Sequence, residues 1–146
     1  MEVSYQRAEL ASLKELLKVF GEAFNEPETF ERVSPSDDYL NLLLESDMFI
    51  PLVAIADGKV VGGPAAYVLK KYEQERCEIY IYDLAVLEAY RRRHIATGLI
   101  NKLRQIAREI GAWVIFVQAD PPDEAAINLY ESLGTREDVL HFDIVP

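Results

Sequence analysis

Apolar positions recur along this chain with two periods, three-to-four and two, and the switches between them mark out its elements. Val3 to Gln6 reads as a short strand. Leu10, Leu13, Leu17, Phe20 and Phe24 then follow the spacing of one helical face, in a helix that Pro27 ends at the latest. A second helix is predicted from Ser34, because Pro35 suits the first helical position and Asp37 completes a capping-box pattern; Tyr39, Leu40, Leu43 and Leu44 form its buried face. The apolar runs Phe49 to Ala56 and Val60 to Leu69 flank Asp57-Gly58, a dipeptide suited to the positive φ of two-residue hairpins. Gly62-Gly63-Pro64 interrupts the second run, so a bulge or a sheet edge is expected there.

Cys77 to Val86 is tyrosine-rich and almost wholly apolar, which predicts a central strand covered on both faces. The next helix, about His94 to Ile110, buries Ile95, Leu99, Leu103, Ile106 and Ile110 and stops at Gly111, a residue suited to the left-handed terminus of a helix. Trp113 to Ala119 reads as another buried strand. Pro121-Pro122 opens a short helix with Ala126, Leu129, Tyr130 and Leu133 on one side, closed by Gly134, and Val139 to Val145 reads as a last strand. Three strands in succession without crossover helices argue against a regular doubly wound sheet and for a mixed α/β fold, a central sheet flanked by helices. Cys77 to Ala119 is the exception, a strand-helix-strand unit that sets two parallel strands side by side with the intervening turn at their carboxyl ends.

At 146 residues, half of them apolar, the chain suits one domain with a real core, and it shows no internal repeat or linker. Its 25 acidic against 15 basic side chains give a net charge of −10. That balance argues against a nucleic-acid partner, whose phosphates need a basic footprint, and suits a cationic small molecule or basic protein segment, or plain solubility. Cys77 is the only cysteine, so neither an intrachain disulfide nor a cysteine cluster for zinc is expected, and a cytoplasmic location follows most simply. Met1-Glu2-Val3 begins no basic-then-apolar leader and no apolar run approaches membrane-spanning length, so neither secretion nor a membrane partner is expected.

One charge placement stands out from the acidic background. Arg91-Arg92-Arg93 lies just before the helix at His94, where the first amides lack intrahelical acceptors and the dipole is already positive. Three more positive charges are unfavourable there unless an anion is added, and a phosphate or pyrophosphate repairs the mismatch. A solvated basic turn, with arginine stems on the sheet rim, is the other reading.

Arg91-Arg92-Arg93-His94-Ile95-Ala96 resembles the acyl-coenzyme A pyrophosphate loop of the GNAT N-acetyltransferase superfamily: Gln or Arg, two free positions, Gly, one free position, then Gly or Ala. Arg91 and Ala96 match its ends, and His94 stands where glycine is usual. Histidine keeps the amide donor but adds bulk and loses glycine's freedom to take unusual dihedrals. Asn128-Leu129-Tyr130-Glu131-Ser132-Leu133-Gly134 is similar to the family's tyrosine-x-x-x-glycine helix. Within the superfamily, the phrases Ala65 to Leu69, Glu78 to Val86, Val117 to Asp120 and His141 to Ile144 look like those of the aminoglycoside 3-N-acetyltransferases.

The resemblance implies a single N-acetyltransferase domain over residues 1–146 with a GNAT-like sheet, acetyl-coenzyme A as co-substrate and no metal. It implies acetyl transfer to the 3-amino group of an aminoglycoside antibiotic by direct attack in a ternary complex, conferring resistance. Coenzyme contacts fall to Leu84, Ala85, Val86, Arg91, Arg92, Arg93, His94, Ile95, Ala96, Thr97 and Asn128, and Tyr130 becomes the acid for the departing thiolate. A core tyrosine with its hydroxyl at the surface is the alternative for Tyr130. The amine arrives largely protonated, so a carboxylate must hold the ammonium and take its proton. Asp120 is preferred for this, Asp83 second and Glu78 third, although Asp120 is equally suited to cap the next helix with Asp123. Glu78, Asp120, Asp123 and Asp143 form the expected rim for the cationic substrate, with Glu73, Glu75 and Glu124 as further candidates. Cys77 reads as a packing residue and His141 as structural. A polyamine or protein-lysine acceptor, a non-catalytic cation-binding domain and a homodimer stay open.

Overall fold

The protein is described by a computed structural model covering residues 1–32 and 34–146. Its elements run β1 (Val3–Arg7), α1 (Leu10–Ala23), a π-helical turn (Glu28–Arg32), α2 (Asp37–Glu45), β2 (Phe49–Ala56), β3 (Lys59–Lys70), β4 (Cys77–Val86), a 3-10 turn (Glu88–Tyr90), α3 (Ile95–Ile110), β5 (Ala112–Val117) and α4 (Glu124–Leu133). The five strands form one sheet in sequence order, antiparallel from β1 to β4 and parallel between β4 and β5. This is the mixed sheet that the three-strand run and the crossover predict.

Local chemistry sets the boundaries. Glu9 N–H donates to Ser12 Oγ at 2.9 Å at the start of α1. The helix ends where Asn25 turns left-handed at φ 53° and Glu26 N–H reaches back to Gly21 O at 2.9 Å, so it stops before Pro27 is needed. Its buried stripe is Leu13, Leu16, Val19 and Phe20, with the predicted Leu10 and Leu17 only at its margins. α2 starts later than expected, because Ser36 rather than Ser34 is the cap: its Oγ accepts Tyr39 N–H at 3.2 Å. That start leaves Tyr39 57% exposed and buries Leu40 alone. Asp57 and Gly58 both take positive φ, 52° and 75°, as the hairpin between β2 and β3 requires.

β3 lies in the middle of the sheet, so its glycines mark close approach rather than an edge. A Cβ on Gly62 would sit 2.6 Å from Ala85 O, and one on Gly63 would collide with Leu52 O. The expected irregularity is present as register shifts at Ala54/Ile55 and Ala65/Ala66.

Two core clusters cover the two faces. Ile95, Leu99, Leu103 and Ile106 of α3 pack on Ile50, Leu52, Ile79 and Ile81, while α1 and α2 cover Phe49, Val53, Val60 and Ala85. Gly98 lets α3 approach β1, since a Cβ there would collide with the Tyr5 ring. Ile110, expected inside, is 42% exposed beside a hollow it shares with Ile50, Val68 and Cys77.

Three further expectations fail around β4 and β5. β4 is not covered on both faces, for Tyr82 is 64% exposed. β5 has no fully buried residue, and Trp113 is 63% exposed, because no strand flanks it opposite β4. The last strand, Val139 to Val145, does not form: residues 135–146 are exposed throughout and join no ladder.

Candidate active site

The β4–β5 ladder pairs Cys77 with Ala112, Ile79 with Ile115, Tyr80 with Phe116 and Ile81 with Val117, and stops there, while β4 continues to Val86. From Tyr82 onward one flank of β4 meets no strand, and β3 alone holds it, up to the Gly62–Val86 pair. The result is an opening between two parallel strands at their carboxyl ends, the position where open α/β sheets bind ligands. Leu84, Ala85 and Val86 line this free stretch.

The arginine turn sits at the end of that stretch. Tyr90 is pinned by its hydroxyl, which donates to Asp57 Oδ2 at 2.8 Å, and Arg91 Nε donates back to Val86 O at 2.9 Å. The Arg93 guanidinium lies 5.7 Å from the Tyr90 ring centroid and donates to Met1 Sδ at 3.2 Å. Arg92 and His94 are both left-handed, each with φ 61°. His94 therefore adopts the conformation for which glycine is the ordinary choice, at a strain of about 1 kcal/mol. The first bond of α3 runs from Gly98 N–H to His94 O at 2.9 Å, so the amides of His94, Ile95, Ala96 and Thr97 stand outside the helical ladder at its positive end.

The other face of β4 carries different chemistry. Rings follow one another across the sheet: Phe49 to Tyr67 at 5.4 Å, Tyr67 to Tyr82 at 6.1 Å, Tyr82 to Tyr80 at 5.7 Å, and Tyr80 stacked on Phe116 at 4.7 Å. The Tyr80 hydroxyl donates to Gln118 Oε1 at 3.0 Å, tying β4 to the exit of β5. The register shift at Ala65/Ala66 gives β4 one extra residue, so Tyr82 and the half-buried Asp83 both turn to this face. Burial, and then the Glu26 carboxylate, hold the Asp83 carboxyl above its ordinary range. Asp83 and the neighbouring phenols in turn add to burial in raising Tyr67 and Tyr80.

Tyr130 projects from α4, half-buried, and its hydroxyl is pushed up to about 12 by burial and then by the Asp123 carboxylate. Asn128 is exposed on the same helix. The cap of α4 is Asp123, whose Oδ1 accepts Ala126 N–H at 3.1 Å; Asp120 contributes only its carbonyl, to Asp123 N–H at 2.9 Å. The helix begins at Glu124, after the two prolines rather than on them, which is why the cap falls to Asp123. Asp120 is exposed beyond the end of β5, and Glu78 is half-buried opposite Leu69, at the far end of β4. Asp143 is not brought to this cleft: it pairs with His141 at 2.9 Å in the exposed terminal segment. Glu73 and Glu75 lie in the loop before β4, with Glu73 3.6 Å from Lys71.

Glu26, Tyr39, Tyr67, Tyr80 and Tyr82 form a group of candidates around Asp83 that sequence reasoning did not assign to a site. For Tyr80 and Tyr82 the signal was the density of tyrosine in β4, read there as core; Glu26, Tyr39 and Tyr67 lie on other segments of the chain, which that density does not mark. Among the described residues no group of three or more His, Cys, Asp or Glu is arranged to hold a metal, and no helix is long and apolar enough to cross a membrane.

A mixed sheet opened between parallel strands, with a helix start of unpaired amides at the opening, is the architecture of one enzyme class. The pattern of the Acetyltransferase (GNAT) family matches residues 12–135, and the chain belongs to that family. Among solved structures it is 54% identical to an aminoglycoside acetyltransferase, HMB0005, from an uncultured soil metagenomic sample, with a TM-score of 0.98 over 100% of this chain and 99% of that one. It is 32% identical to a second aminoglycoside acetyltransferase, meta-AAC0020, also from an uncultured soil metagenomic sample and in complex with sisomicin, with a TM-score of 0.90 over 99% of this chain and 96% of that one. An N-alpha-acetyltransferase from Sulfurisphaera tokodaii is 30% identical over 96 residues, 58% of this chain and 55% of that protein. The chain spans about half the length of the curated relatives it matches.

Proposed function

We propose that this chain transfers an acetyl group from acetyl-coenzyme A to an aminoglycoside, at the 3-amino group of its 2-deoxystreptamine ring, by direct attack in a ternary complex in the cytoplasm, and that resistance is the consequence. The observation that carries the reading is the meeting of two chemistries at the end of β4: an anion-binding turn on one side and a carboxylate among tyrosines on the other. The 54% identity to one soil aminoglycoside acetyltransferase and the sisomicin complex of another support the acceptor class. So does the net charge of −10.

The residues present fit the coenzyme. The amides of His94, Ile95, Ala96 and Thr97 and the guanidinium groups of Arg91, Arg92 and Arg93 suit a pyrophosphate, the free backbone of Leu84 to Val86 suits an extended amide chain, and Asn128, exposed on α4, offers a further amide. Acetyl-coenzyme A, when bound, supplies the activated thioester. Asp83 holds the acceptor ammonium on a floor formed by the Tyr67, Tyr80 and Tyr82 rings and takes its proton at the carboxylate, a role that its raised carboxyl suits at neutral pH. Asp120 and Asp123 contribute charge at the rim. The Tyr130 hydroxyl keeps its proton up to about pH 12 and so stays able to donate it at neutral pH.

The test is thiol release from acetyl-coenzyme A with an aminoglycoside series, followed by NMR of the product. Acetylation at nitrogen 3 is expected; modification of another amine corrects the position, and no release with any member rejects the acceptor class. The N-alpha-acetyltransferase relative favours a peptide α-amine as a second reading, so peptides and polyamines belong in the same panel. Calorimetric binding of coenzyme A separates all of these from a non-catalytic cation-binding domain, which has no reason to bind it.

A further inference from the structure

The helices α1, α3 and α4 are closed in different ways. α1 ends through left-handed Asn25 at φ 53° and α3 through left-handed Gly111 at φ 72°, turns that bring backbone N–H groups back to the last carbonyls. α4 ends on Gly134 in extended backbone, φ −151° and ψ −170°, and Gly134 N–H returns to Tyr130 O at 2.9 Å. Leu133 O, one residue before the end, receives no backbone donor. It accepts instead from Nη2 of Arg104, on α3, at 3.0 Å.

α4 has little else to hold it. None of its residues is fully buried, whereas α3 is seated in the core by Leu99, Leu103 and Ile106. Among the described residues the Arg104 contact is the only hydrogen bond that joins α4 to another helix or strand. Arg104 is half-buried, and its Nη1 donates to Asn101 Oδ1 at 3.1 Å, one turn back on α3, which fixes the plane of the guanidinium. In a chain with 25 acidic side chains it makes no ion pair among the described residues. Its fork is committed to the negative end of a helix, and a rigid planar fork suits a strut better than a flexible ammonium does.

The two helices carry the two ends of the proposed chemistry. α3 begins at the anion-binding turn, and α4 carries Tyr130 one turn before Leu133. We propose that Arg104 is a positioning residue that holds α4 at a fixed separation from α3, so that the Tyr130 hydroxyl meets the sulfur of a coenzyme whose pyrophosphate is bound at the start of α3. The inference rests on the acid role given to Tyr130 above and adds the residue that enforces it. Arg104 stands about 15 Å along α3 from His94 by helical rise, so it acts through α4 and not on the pyrophosphate.

Two variants separate position from fold. Arg104→Met keeps a long apolar stem and loses the fork, while Arg104→Lys keeps a charged donor. In hydrogen exchange, which needs no activity, Arg104→Met should speed exchange of the amides of residues 124–133 by about fivefold or more and leave residues 95–110 protected. Arg104→Lys should restore most of that protection. In the acetyl-transfer assay Arg104→Met should lower kcat about five- to tenfold, no more than Tyr130→Phe does, with coenzyme A affinity by calorimetry within about twofold. Added to Tyr130→Phe, it should cost less than about twofold more, because a residue that acts through Tyr130 then has nothing left to position. Unchanged exchange in α4, or the same loss of kcat in both backgrounds, would overturn the proposal. Full turnover in Tyr130→Phe alone would count against the acid role and not against the tie between the helices, which hydrogen exchange reads by itself.

Discussion

β4 turns one face to α3, while the other is closed only in part, with Ala85 under α1 and Tyr82 in solvent, and the two faces answer to different physics. Toward α3, Ile79 and Ile81 are sealed against Leu99 and Leu103. On the other side Tyr80, Tyr82 and Asp83 meet ring edges, a remote carboxylate and solvent. A strand anchored by one face is free to spend the other on chemistry, so substitutions on the two faces should separate stability from activity.

The largest effect is expected at Asp83. With the proposed base removed, Asp83→Asn should lower kcat/KM by about 10²–10⁴-fold. Stability should hold or rise, and the sign follows from linkage. The folded carboxyl is held above its unfolded value, so the native state binds the proton more tightly and stability falls as pH rises from the ordinary aspartate range through the raised value. Asp83→Asn removes that fall. Activity of the unaltered protein runs the other way, rising with pH through the same window as the base ionises. Unchanged kcat/KM in Asp83→Asn would return the role to Asp120.

The opposite pattern is expected across the strand. Leu103→Ala removes a fully buried side chain and should cost about 3 kcal/mol in urea unfolding. Turnover per folded molecule should stay within about twofold, since the site face does not touch that cavity. A large fall in turnover would show that the two faces are coupled through β4.

The same contrast decides what could be read in advance. The buried face of α3 was legible because Ile95, Leu99, Leu103 and Ile106 carry their own period, and the hairpin because Asp57-Gly58 carries its own turn chemistry. Asp83 was not, since by alternation it belongs with Ile79 and Ile81; only the bulge opposite Ala65/Ala66, a property of two strands together, turns it to the site. Glu26 reaches the site from the end of α1, a tertiary fact with no local signal. The C-terminal alternation is real as a pattern, but alternation without a partner strand forms no ladder, and residues 139–145 join none.

A smaller effect belongs to Tyr130. A thiol ionises near pH 8.5, so a thiolate departs with modest help, and Tyr130→Phe should slow turnover only about tenfold. Coenzyme binding by calorimetry should change little, because the hydroxyl is assigned to the leaving sulfur and not to the pyrophosphate. Weakened binding with unchanged turnover would make Tyr130 a wall of the coenzyme channel instead.

The smallest effect lies at the turn where the two faces of β4 end. His94 pays left-handed strain of about 1 kcal/mol at φ 61°, which glycine would relieve, while glycine's extra freedom in the unfolded chain costs about 0.5–1 kcal/mol. The two nearly cancel, so His94→Gly should move stability by less than about 1 kcal/mol. Coenzyme affinity should still respond, because the Cβ and ring are removed beside the free amides of Ile95 and Ala96, and calorimetry should show a few-fold tighter binding. His94→Ala distinguishes the causes: it keeps the strain and the Cβ but loses the ring, so tightening there too would assign the effect to side-chain bulk. Weaker binding in both variants would instead show that the imidazole itself holds the anion, and that this chain replaced glycine at the turn with a contact of its own.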